Sequence, residues 1–262
     1  MTLKVTDLYQ SYGSHPVLEG VSFEVEKGEV VALLVPNCSG KSTIIKTVCD
    51  IMPPKGGTIE VDGADVHSYD SSELAKLISY VPQSAAAAVY TTVMDTVLLG
   101  RRPYIGWSYR PEDIDIAVKA MERMNVDSLS DKNVSELSGG QKQRVFLARS
   151  LAQDPDYFIF DEPTSALDLK FQMKTMISMK EIIHEKGAGM LIALHDINLA
   201  LNYTDKVIMI KDRKVHRFGT PEETITAESI REVYGVETEI IETGHGRYIL
   251  PIAPCEGEGG GY

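Results

Sequence analysis

The chain has 262 residues, 43% of them hydrophobic, enough to bury one large domain or a domain carrying a subdomain. Its 26 basic and 38 acidic residues leave a net charge of −12, which argues against a nucleic-acid groove built on a global positive field. Cys38, Cys49 and Cys255 form no C-x-x-C pair and are odd in number, so neither a disulfide framework nor a zinc knuckle is expected.

In chain order, apolar runs predict strands near Thr2 to Leu8, Val21 to Val25, Glu29 to Leu34 and Thr58 to Val61, with turns at EKGE and VDGAD. A helical pattern starts at Lys41. Between about residues 85 and 153 helical periodicity dominates, in TTVMDTVLLG, EDIDIAVKAMERMNV and the run after Ser138. The later strands DYFIFD, GMLIAL and KVIMIK are separated by helical segments, the pattern of a parallel α/β sheet. The expected organisation is one domain over residues 1–250, with a core of 1–84 and 154–250, a helical subdomain inserted at 85–153, and an unstructured tail over 251–262. No apolar run reaches the ~18 residues of a membrane helix, and MTLKVTDLYQ lacks the apolar stretch of a signal peptide, so a reducing, cytosolic setting is expected.

Four short motifs carry chemistry. The strand EVVALLV runs into VPNCSGKST, whose Gly40, Lys41 and Ser42 match the end of the phosphate-binding loop G-x-x-x-x-G-K-[ST]. In that context backbone amides at a helix start face an anion and Lys41 adds a point charge. LSGGQ, Leu137 to Gln141, opens a helix, and Ser138 with Gln141 alone reads as an ordinary capping box. Gly139 and Gly140 are not needed for a cap and cost about 1 kcal/mol each against alanine, so close backbone approach to a ligand is the alternative. YFIFDEP ends a buried strand in Asp161 and Glu162, adjacent carboxylates that either cap a helix at Pro163 or divide magnesium binding and water activation between them. His195 and Gln83 likewise follow apolar strands, and Tyr12 is either a half-exposed aromatic or a stacking surface for a purine.

Together, in this order and spacing, these motifs resemble the ATP-binding cassette ATPases over roughly Thr2 to Glu239. LSGGQ followed by DEPTSALD is the specific part. The resemblance implies an α/β fold: a RecA-like P-loop core, an N-terminal antiparallel β subdomain and an inserted helical signature subdomain. It implies Tyr12 against adenine, with Asn37, Cys38, Ser39, Gly40, Lys41, Ser42 and Thr43 forming the phosphate loop. Ser138, Gly139, Gly140 and Gln141 are then the signature and Asp168 the D-loop aspartate. Glu162, His195 and Gln83 are the catalytic set, and Ser42, Gln83 and Asp161 the magnesium ligands. ATP and Mg2+ are the implied cofactors, and a second copy in a head-to-tail ATP sandwich is the implied partner. VLLGRRPYIGW, Val97 to Trp107, resembles a stretch of importer ATPases for iron chelates, haem and cobalamin, or else is a plain helix end. Integral membrane permease subunits, indirectly a substrate-binding protein, and a position on the inner face of the membrane follow from that resemblance. A soluble cassette ATPase, as in iron-sulfur assembly, is the alternative.

The loop departs from the family pattern G-P-N-G-x-G-K-S-T at Val35 and Cys38. A β-branched residue held in a left-handed backbone costs about 1–3 kcal/mol, a roughly 5- to 150-fold weakening of binding. Expectation therefore divides between an adapted ATPase loop and a degenerate site that binds ATP with impaired hydrolysis.

Overall fold

Strict alternation of inward-facing residues builds this protein around two cores. In the computed structural model, residues 1–36, 39–83 and 91–255 are described. Strands β1 (Thr2–Tyr12) and β2 (His15–Glu26) form an antiparallel hairpin, and β3 (Val30–Leu34) leads through the GKST segment into helix α1 (Lys41–Val48). Next come β4 (Gly56–Val61), β5 (Ala64–Asp65), α2 (Ser71–Leu77) and β6 (Ile78–Val81). The following stretch contributes helices α3 (Val93–Leu98), α4 (Pro111–Arg123) and α5 (Gly139–Gln153). Then follow β7 (Tyr157–Asp161), α6 (Leu169–Lys186), β8 (Gly189–Ala193), α7 (Ile197–Tyr203), β9 (Lys206–Lys211) and β10 (Lys214–Gly219). Helices α8 (Pro221–Thr224) and α9 (Ala227–Tyr234) precede a terminal hairpin, β11 (Val236–Thr243) and β12 (Gly246–Pro254).

The principal sheet has six strands in the order β10-β9-β3-β8-β7-β6, parallel except for β10. A second, antiparallel sheet has the order β2-β1-β4-β5. Every residue of β3, β7 and β8 is buried, so each strand sends alternate side chains to opposite faces. Ala32, Leu34, Phe158, Phe160 and Ile192 enter the core shared with the helical region. Val31, Leu33, Ile159, Leu191 and Ala193 enter the core shared with the antiparallel sheet and α1. The carboxyl ends of β3, β6, β7 and β8 consequently meet along one sheet edge, where α/β folds hold ligands.

Two expectations are corrected. Pro251–Pro254 complete β12, with Pro251 opposite Thr238 and Pro254 opposite Val236, where the sequence reading places an unstructured tail. Both prolines sit on a two-stranded ribbon, whose outer edges need no amide from them. Val35 does not adopt the left-handed backbone that made it a source of strain. Among the described residues the non-glycine positions with positive φ are Asp7, Asp50, Asp62, Asn125, Asp154, Glu162, Asp212 and Arg213. Val35 instead continues the alternation of Val31 and Leu33 into the same core and is 1% exposed. Cys38, the other departure, lies outside the described residues together with Asn37.

Val35 is thus a core residue at the root of the loop. Val35→Ala should lower unfolding free energy by about 1–3 kcal/mol, read as a shifted urea midpoint. An unchanged midpoint would contradict its place in the core.

Candidate active site

Gly40 starts the site. Its φ of 93° is one that glycine adopts without penalty, and a Cβ there would lie 2.6 Å from Val17 Cγ1. The backbone therefore turns tightly beneath β2 and enters α1, whose Ile44, Ile45 and Val48 anchor it in the core. Among the described residues the N-cap of α1, Gly40, offers no side-chain cap and the first turn holds no acidic residue, an arrangement whose positive end favours an anion.

Lys41, Glu162, His195 and Gln83 converge there. Lys41 Nζ is bonded to Glu162 Oε1 and lies 3.0 Å from His195 Nε2, which itself contacts Glu162 Oε1. Gln83 Nε2 donates to Glu162 Oε2 at 2.6 Å. Ser42 Oγ donates to Asp161 Oδ2 at 2.8 Å, while Asp161 Oδ1 is buried with no hydrogen-bond partner. The Tyr12 hydroxyl lies 3.3 Å from Thr43 Oγ1, and the tyrosine is half exposed at the mouth of the cleft. The open cleft has a volume of about 550 Å³ and is lined by Tyr12, Val17, Gly40, Lys41, Ser42, Thr43, Gln83, Glu162 and His195. Ser39 closes the turn before it, its amide donating to Pro36 O.

Glu162 takes φ 52°, an uncommon backbone for a long side chain, costing roughly 1–2 kcal/mol. Its neighbours hold it there: its amide donates to Ala193 O at 3.1 Å, and its carbonyl accepts from the Ser165 amide and hydroxyl. Burial pushes the Asp161 carboxyl above the ordinary aspartate range. The Ser42 hydrogen bond opposes this, Glu162 reinforces it, and Lys41 and Lys46 oppose it. The same buried negative charge adds to the burial that pushes the Tyr80 hydroxyl up to about 12.

The remaining candidates form a separate group. Ser138 and Gln141 make the reciprocal capping box at the start of α5, with Ser138 N donating to Gln141 Oε1 at 3.0 Å. A Cβ on Gly140 would lie 3.0 Å from Ala166 O, so that glycine is required by an approach within the chain itself. Gly139 meets nothing closer than 3.9 Å and keeps room for a ligand from outside. Asp168 caps α6, accepting from Phe171 N at 3.0 Å. None of Ser138, Gly139, Gly140, Gln141 or Asp168 lines the Lys41 cleft. Sequence reasoning missed Val17 and Lys46; the tight φ required at Gly40 is the only local signal that a side chain must pack above it.

The sequence model for the ABC transporter matches residues 18–165. An uncharacterized ABC transporter ATP-binding protein of Methanocaldococcus jannaschii is 41% identical over 252 residues, covering 96% of this chain and 98% of the relative. The ferric enterobactin transport ATP-binding protein FepC of Escherichia coli is 35% identical, covering 92% of this chain and 89% of the relative. The cobalamin import ATP-binding protein BtuD of Halobacterium salinarum is 32% identical, covering 92% of this chain and 60% of the relative. Among solved structures, an inward-facing ABC transporter assigned to the metal-chelate type superposes with a TM-score of 0.82 at 25% identity, covering 96% of this chain and 97% of that one. A dimeric cassette in a post-hydrolysis state, bound to ADP and phosphate, superposes at 0.76 with 28% identity, covering 84% of this chain and 99% of that one.

The raised Asp161 pKa has a definite sign. The folded chain favours the proton, so this group's contribution is complete below the ordinary value near ~3.9 and is lost as pH rises through the folded value. In buffer free of nucleotide and magnesium, Asp161→Asn should be the more stable chain at pH 7 and should lose that advantage below about pH 4. Parallel urea midpoints for the two chains across that range would contradict the burial argument.

Proposed function

Because the chain belongs to the ABC transporter family as one of its ATPases, we propose that it is the nucleotide-binding subunit of an importer. It binds and hydrolyses ATP to drive uptake of an iron-siderophore, haem or cobalamin-type ligand through separate membrane subunits. The observation that carries this reading is the convergence of Lys41, Ser42, Asp161, Glu162, Gln83 and His195 at adjoining strand ends. The ligand class rests on the ferric enterobactin and cobalamin relatives.

In this reading the triphosphate lies over the start of α1, with Ser39, Gly40, Ser42 and Thr43 around it, Lys41 at its β and γ phosphates and Tyr12 against adenine. Asn37 and Cys38 complete the loop by position in sequence. Ser42, Asp161 and the Gln83 amide would hold magnesium, and the buried, unpartnered Asp161 Oδ1 fits that assignment. When bound, the ion neutralises charge on the phosphates. Glu162 accepts a proton from the water attacking the γ-phosphorus as the bond to the bridging oxygen breaks, releasing ADP and phosphate. Gln83 and His195, which contact the Glu162 carboxylate, would orient it.

Ser138–Gln141 and Asp168 act on the ATP of a second copy in head-to-tail arrangement, which accounts for their separation from the Lys41 cleft. The membrane subunit docks at the cleft of about 520 Å³ lined by Ser71, Ser72, Leu99, Arg102, Pro103 and Arg149. Trp107, in the segment after Pro103, is fully exposed and available to the same partner. No helix among the described residues is long and apolar enough to cross a membrane. In this reading the chain is a peripheral subunit on the inner face. A substrate-binding protein would act through the permease.

The test is ATP-dependent self-association. Glu162→Gln, which removes the carboxylate that would receive the proton, should hold ATP and form dimers with MgATP in sedimentation velocity. Adding Ser138→Arg should abolish the dimer while leaving single-chain ATP affinity within about twofold. Dimers that survive Ser138→Arg would overturn the sandwich, and copurification with a polytopic membrane protein tests the importer assignment.

A further inference from the structure

Arg144 lies on α5, three residues beyond Gln141, and is 9% exposed. Its Nη1 donates to Met124 O at 3.2 Å and to Asn125 O at 2.6 Å. Those carbonyls end α4, where Met124 is the C-cap and Asn125 turns the chain at φ 54°. Helix-end carbonyls lack intrahelical donors and carry the negative end of the dipole, so a guanidinium there is well placed. On its other side the guanidinium carbon sits 4.1 Å from the centre of the Phe171 ring, in the first turn of α6. Burial disfavours the Arg144 charge, and Asp168, which caps that turn, partly opposes this. Arg144 Nε is buried without a partner, so this cation is sealed between α4, α5 and α6.

Capping α4 alone would require none of the contact with Phe171. Helix α5 also touches the same unit one turn earlier, where Gly140 meets the Ala166 carbonyl. That unit is tied back to Glu162 by hydrogen bonds: Ser165 N to Glu162 O at 3.2 Å, Leu167 N to Thr164 O at 3.0 Å, and Gln172 Nε2 to Thr164 O at 3.2 Å. Two contacts a turn apart fix a helix in angle as well as position.

We infer that Arg144 is a positioning residue: it clamps the signature helix to the segment running from Glu162 to Phe171, so that Ser138–Gln141 meet a second copy's nucleotide in one orientation. This rests on the two-copy reading above. The Lys41 cleft contains no residue of α5, so the clamp acts on turnover and leaves ATP binding by the single chain alone. Displacing catalytic groups by about an ångström costs up to about a hundredfold in rate.

The experiment compares Arg144→Met and Phe171→Leu, which break the clamp from its two sides, with the unchanged full chain. Both variants should keep MgATP affinity within about twofold while kcat falls about 10- to 100-fold. In the empty protein, amides of residues 138–142 and 167–172 should exchange hydrogen faster in both variants, with α1 unaffected. Turnover that falls only in step with ATP affinity, or exchange that changes around α4 alone, would overturn the clamp and leave Arg144 a cap. If the unchanged chain does not hydrolyse ATP, the functional reading fails, and the exchange pattern by itself decides the clamp.

Discussion

The buried contact between Lys41 and Glu162 is the constraint on which the site depends. Asp161 and Glu162 are adjacent carboxylates, 2% and 4% exposed, at the end of a fully buried strand. Burying carboxylates without partners costs several kcal/mol each, so the fold must bring compensating groups to that point. Lys41 supplies the cation, and Gln83, Ser42 and His195 supply the remaining contacts. Each arrives at the end of β3, β6 or β8 or at the start of α1. The buried carboxylates are thus partnered by the groups that the proposed reaction would employ. In the proposed reaction an incoming triphosphate would compete with Glu162 for the same ammonium, and a carboxylate released from it would be free to receive a proton.

Sheet geometry makes that convergence possible. In the principal sheet β3 and β7 flank β8, so the phosphate loop, the carboxylates and His195 emerge side by side. Opposite faces of these strands then feed two cores, one carrying α1 and the antiparallel sheet, the other the helical region with α5. The Lys41–Glu162 cluster and the start of α5 thus adjoin different cores within one chain. Gly140 and Arg144, through Ala166 and Phe171, join them. Ser138–Gln141 do not line the Lys41 cleft of their own chain, as the proposed two-copy arrangement requires.

The fold and most of the cluster were legible in the sequence because each rests on a local pattern. Continuous apolar runs marked β3, β7 and β8, and the residues just past their ends marked the site. Val35 was misread because the loop motif was weighed and the strand period was not. Val31, Leu33 and Val35 already alternate, and that pattern places Val35 in the same core just past the end of β3. The terminal ribbon was missed because its prolines and short apolar pairs gain stability only from pairing with β11 and packing near Asn198. Val17 above Gly40, the left-handed backbone of Glu162 and the Arg144 contacts are long-range or conformational, and no local pattern announces them. The close approach of Gly140 to the Ala166 carbonyl is likewise a contact that no local pattern announces.

The most direct measurement is steady-state phosphate release from MgATP by the purified, unaltered chain, beside Glu162→Gln. The account predicts turnover that falls at least about a hundredfold when Glu162 loses its charge, with Val35 left in place. Turnover that persists in Glu162→Gln, or that appears only after Val35→Gly, would contradict it.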